Sequence, residues 1–120
     1  PDLSLEAWDE SITRLEALSL ARLYLPHFGE VGAPARHFAA LRRRLHEWGE
    51  IALVGLRDGK DDAAIAADFA RAADPVIAEH AQKGAAASEA VHHYELATNY
   101  LMSAQGYIRY YQTSHPELLR

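Results

Sequence analysis

Apolar residues step along nearly the whole chain by threes and fours, and they break that rhythm once, at Leu23-Tyr24-Leu25-Pro26. Steps of three and four hold side chains on one face of a helix, so the pattern limits the chain to helices packed on one another. The exception is too short for a helix and stops at a proline. It reads as a strand, with Leu23 and Leu25 to one side and Tyr24 to the other. The expected fold is all-α: four to five helices in a bundle, with one short strand remnant near residues 22–26. No second strand can be read elsewhere, and a lone strand leaves its backbone groups unmet. A strand without a sheet is the expectation.

Over residues 4–18 the stripe is Leu5, Trp8, Ile12, Leu15 and Leu18, with Ser4 or Asp2 able to cap the start. Residues 30–34 read as a turn, and Pro34 suits the first turn of a second helix over 34–57. That helix carries Phe38, Leu41, Leu45, Trp48, Ala52 and Leu56, and Gly59 is its expected stop. Asp61 or Asp62 caps a third helix with Ile65, Phe69, Ala72 and Ala73 facing inward. Asp74-Pro75 reads as a break and restart, with Val76 and Ile77 carrying the face on to Ala81 before Gly84. A last helix is expected over 86–113. Its seam is Ala90, Tyr94, Ala97, Leu101, Ala104, Ile108 and Tyr111, broadened by Tyr100, Tyr107 and Tyr110. Gly106 inside it costs about 1 kcal/mol relative to alanine, which close packing can offset.

An apolar share of 49% is enough for a core in one domain of 120 residues. Twelve Lys and Arg against 17 Asp and Glu give a net charge of −5, which argues against nucleic acid as a partner. Arg42-Arg43-Arg44 is the local exception and reads as a solvated helix face. No run of about 18 uncharged apolar residues suggests a membrane span, and no secretory signal is visible. The chain has no cysteine, so thiol chemistry and disulfides are excluded and a cytoplasmic location is expected. Its first residue is proline rather than methionine, and we expect it to continue a longer protein.

The strand ends at Pro26-His27-Phe28-Gly29. Proline restricts the backbone ahead of the histidine, and glycine permits a sharp turn after it. A strand end is a favourable place for a metal ligand, because the imidazole can turn to the metal while its other nitrogen finds an orienting acceptor. The plain alternative is a half-buried histidine hydrogen-bonded in a turn.

The stretch W-x-x-S-x-x-R-L-x-x-L, here Trp8, Ser11, Arg14, Leu15 and Leu18, is followed by RLYLPHFGEV. Together they resemble the tail of the catalytic domain in metallo-β-lactamase-fold hydrolases, where a helix precedes a short late strand that ends in a histidine before a glycine. By that resemblance His27 is the last ligand of a metal pair. Some members carry a helical C-terminal extension that begins with a long Leu- and Arg-rich helix. It ends near a segment similar to S-x-x-G-x-x-R-Y, here Ser103, Gly106, Arg109 and Tyr110. The resemblance is closest over residues 8–31 and looser over 34–111. It implies residues 1–31 as the C-terminal end of a catalytic domain and 34–120 as a helical C-terminal domain. In the intact enzyme it implies two zinc ions activating water against an ester, thioester, amide or phosphoester of a small-molecule substrate.

The departure is equally specific. The family's H-x-H-x-D-H run, its further histidine and its bridging aspartate are absent from this chain. One ligand does not hold a catalytic zinc tightly, so this chain alone is expected to bind none tightly and to hydrolyse nothing. The six other histidines (His37, His46, His80, His92, His93 and His115) offer one Glu-x-x-His, Glu89 with His92, where a di-iron bundle needs two. Adjacent His92 and His93 diverge by about 100° on a helix and do not share a metal. The tyrosines with Trp48 and Phe38 read as core, and Arg109 as either an anion contact or a favourable helix-end charge. Two other readings stand beside the hydrolase. One is a helical interaction module that forms a homo-oligomer through helices or a strand edge. The other is a histidine-bearing bundle that binds a metal or haem.

Overall fold

The computed structural model describes residues 2–26, 29–81 and 99–120, with 74–81 described as backbone. The elements in chain order are helix α1 (Leu5–Glu16), strands β1 (Leu23–Leu25) and β2 (Gly29–Val31), and helices α2 (Pro34–Arg57), α3 (Asp62–Ala81) and α4 (Tyr100–Ser114). A 3-10 turn, Pro116–Leu119, follows. The fold is thus helical with one small sheet, as the periodicity implies.

The helix ends follow short-range chemistry. Ser4 sits in extended backbone, and its hydroxyl oxygen accepts from the Ala7 N–H at 3.2 Å, capping α1. An Asp61 carboxylate oxygen does the same for α3, accepting from the Ala64 N–H at 2.8 Å. At the end of α2, Gly59 takes φ +73°. The Gly59 and Lys60 N–H groups donate back to the Leu56 and Gly55 carbonyls at 3.1 and 2.9 Å. That pairing closes the helix and needs a left-handed residue, which glycine provides without strain.

Three sequence expectations change. The strand has a partner: β1 pairs antiparallel with β2, Leu23 opposite Val31 and Leu25 opposite Gly29, so the turn expected over 30–34 opens instead with a strand. Gly29 at φ +78° turns the chain back into this pairing, and β2 is too short and too polar to announce itself as a strand. Helix α3 runs through Asp74-Pro75 without stopping. An interior proline removes one N–H from the ladder, and the bonds on either side carry the helix across. The last helix begins at Tyr100 rather than near residue 86: Asn99 is non-helical, and its side-chain oxygen accepts from the Met102 N–H at 2.8 Å. The expected seam residues Ala90, Tyr94 and Ala97 lie outside the described residues.

The chain divides into two compact units, the boundary falling within α2. One spans Ser4–Gly49 and holds α1, the hairpin and the first part of α2. Its buried apolar side chains are Leu5, Ile12 and Phe38. The other joins Pro1–Leu3 to Glu50–Arg120. There α3 packs on α4, with Ile65, Phe69 and Ala73 of α3 and Ala104, Tyr107, Tyr110 and Tyr111 of α4 buried. Phe69 meets Tyr107 edge-on at 5.6 Å, a favoured aromatic geometry. Gly106 is buried on the same helix. Among the described residues no helix is long and apolar enough to cross a membrane.

Candidate functional site

The hairpin is where the sequence places the candidate ligand. Glu30, on the outward face of β2, accepts from the Tyr24 hydroxyl at 3.3 Å and pairs with Arg22 at 3.1 Å. Tyr24 and Glu30 are cross-strand partners, so the contact reinforces the register. Pro26 closes β1. His27 and Phe28, which separate Pro26 from Gly29 in the chain, lie outside the described residues.

A polar cluster joins α1 to the first part of α2. Arg42 donates to Thr13 at 3.2 Å and to a Glu16 carboxylate oxygen at 3.0 Å, and its Nε lies 3.7 Å from Asp9 Oδ1. His46 Nε2 stands 2.8 Å from the other Asp9 oxygen. Arg42 therefore leaves the solvated face assigned to the arginine run, since a guanidinium that meets two carboxylates on a facing helix is held there. Arg43 and Arg44 keep that assignment, pairing with Glu47 within their own helix. No periodicity in the sequence marks Arg42. The clue was the acidic spacing Asp9 and Glu16, seven residues apart on one side of α1.

In the other unit, a groove of about 600 Å³ is lined by Leu56, Lys60, Gln105, Ile108, Arg109 and Gln112. Arg109, the candidate anion contact, pairs through Nε with Asp2 at 2.9 Å, both side chains being exposed. The carboxylates at the groove are already engaged: Asp61 caps α3, and Asp62 accepts from Gln105 at 2.9 Å. Asp68 accepts from Lys60 at 2.9 Å and from Arg71. The hydrogen bond from Lys60, with the two positive charges beside it, holds Asp68 below the usual carboxylate range despite partial burial. Burial pushes the Tyr107 hydroxyl well above its ordinary value, and Tyr111 adds to the shift.

Of the other histidines, His37 lies against Phe38, and His115 lies against Tyr110 and within 3.3 Å of Glu117. His92 and His93 lie outside the described residues, as does the side chain of His80. Among the described residues no three of His, Asp and Glu gather as a metal site would require, so these residues by themselves do not fit a two-metal centre.

No family model matches this chain, and no curated protein or solved structure matches it either.

Proposed function

We propose that this chain is the C-terminal part of a metallo-β-lactamase-like, metal-dependent hydrolase, with His27 as a metal ligand of the intact enzyme. The observation that carries the reading is the order of elements around the PHFG stretch. A capped helix bearing Trp8, Ser11, Arg14 and Leu15 precedes a short strand that ends at Pro26, next to His27 in the chain. A long Leu- and Arg-rich helix follows, and α4 carries Ser103, Gly106, Arg109 and Tyr110. On this reading residues 1–31 end the catalytic domain and 34–120 form its helical extension. The paired β2 meets the backbone groups of β1 on one side. Each strand still has an open edge, and a two-stranded hairpin is marginal on its own.

The chemistry belongs to the intact enzyme, where a metal pair would activate water. This chain's contribution is a single imidazole at the end of a strand. The gene upstream of the Pro1 codon tests the reading first: it should encode H-x-H-x-D-H, a further histidine and a bridging aspartate. In the protein it encodes, His27→Ala should lower bound zinc and reduce hydrolysis by about 100-fold or more, at least the effect of removing a ligand's supporting contact. An upstream sequence without those ligands, or a variant with full zinc content, rules the reading out.

A second reading, an interaction module, is favoured by one specific observation: the outer side of α1 is exposed, uncharged and partly apolar.

A further inference from the structure

Helix α4 shows different chemistry on two sides. Ala104, Tyr107 and Tyr111 are buried in the core. Gln105, Ile108, Arg109 and Gln112 follow the same steps of three and four on another side, and with Leu56 and Lys60 they line the groove of about 600 Å³. Leu56 and Ile108 are half-buried and give the groove apolar surface. Gln105, Arg109 and Gln112 are exposed and give it N–H donors. Its volume lies within the range of small-molecule sites. The charges around it are not equally committed. Asp61 caps α3, Asp62 accepts from Gln105, and Lys60 donates to Asp68, whose side chain is only 16% exposed. Arg109 differs. Its counter-charge is the carboxylate of Asp2, 2.9 Å from Nε on a side chain 91% exposed, and Asp2 does not line the groove.

We propose that this groove binds a small organic carboxylate with a short apolar tail, the carboxylate on Arg109 and the tail over Leu56 and Ile108, and that Asp2 stands in for the ligand while the groove is free. A guanidinium presents its N–H donors as a planar fork that matches a carboxylate, and Asp2 already shows that Arg109 receives one. Asp2 brings the charge alone. A ligand with a tail adds burial of apolar surface to the same ion pair, so it has the means to displace Asp2. The two carboxylates compete for one cation, and removing the charge of Asp2 should therefore tighten ligand binding. Long-range attraction does not account for such a site, because the chain carries a net charge of −5 and repels anions as a whole. The inference does not rest on the hydrolase reading.

Titration of the chain with hexanoate, followed by proton–nitrogen NMR, tests it. Saturable shifts are expected at the Arg109 Nε–H and at the side-chain amides of Gln105 and Gln112, with a Kd on the order of 1 mM for so small a ligand. Acetate, which lacks the tail, should bind about fivefold more weakly or worse. Asp2→Asn should tighten hexanoate binding by about two- to fivefold, the worth of an exposed ion pair. Arg109→Gln should weaken it about fivefold or more with the circular dichroism unchanged, and in that background Asp2→Asn should bring no gain, since the cation they share is gone. Several results overturn the inference: no saturable shift in either the parent or Asp2→Asn, an Asp2→Asn chain that binds no tighter, or a gain that survives Arg109→Gln. So does acetate or inorganic phosphate matching hexanoate, which would leave a bare anion contact with no use for the groove.

Discussion

Single residues carry the sharpest constraints where two helices approach closely. A Cβ built on Gly55 would stand 2.8 Å from Ile65 Cγ1, and Ile65 is fully buried. Alanine normally stabilises a helix interior, but here the overlap should win, and Gly55→Ala is expected to lower stability by about 1–3 kcal/mol in urea denaturation. Two titrating groups make opposite predictions. The folded chain keeps Tyr107 protonated beyond its ordinary range, so its contribution is whole below the unfolded value near 10 and is lost as pH rises past it. Tyr107→Phe should therefore lose less stability between neutral and strongly alkaline solution than the parent does. Asp68 is held ionised, so its contribution is present above the unfolded value near 4 and is lost as pH falls through it. Asp68→Asn should flatten the acid limb of a plot of urea midpoint against pH.

At the scale of elements, the helix ends were the most legible features. Ser4, Asp61 and Gly59 act within three or four residues of themselves, so their chemistry could be read without knowing the fold. Removing the first cap, Ser4→Ala, should cost about 1 kcal/mol and be visible as a lowered thermal midpoint. The hairpin was half legible. Leu23-Tyr24-Leu25 has the alternation and apolar content of a strand, while Gly29-Glu30-Val31 becomes one only because Gly29 returns the chain and Glu30 reaches Tyr24 and Arg22. Asn99 shows the converse. The three-and-four rhythm passes through it unbroken, yet its amide oxygen finds the Met102 N–H and caps the helix that begins at Tyr100.

Across the whole molecule, burial separates what a stripe promises from what it does. Phe69 lies fully buried at the α3–α4 contact, and Phe69→Ala should cost about 3–5 kcal/mol and lower the thermal midpoint. A tryptophan-independent measure, the helical circular dichroism, would show it. Leu101 has the spacing of a core residue and is 44% exposed, while Tyr107, one of the tyrosines read as broadening the buried side, lies fully within it. For the candidate site, the order helix, strand, histidine was readable in the chain, and the H-x-H-x-D-H run that the proposed metal pair would need is not in this sequence. The helical class, the caps at Ser4, Asp61 and Gly59, and the histidine's place beside a strand end are set by neighbours within a few residues, so sequence alone determined them. Which side of α1 is covered, that Arg42 is drawn to Asp9 and Glu16, and that α4 turns Tyr107 rather than Leu101 inward depend on groups tens of residues away. Only the tertiary structure could decide those, since burial and ion pairing are properties of what a side chain meets and not of the side chain itself.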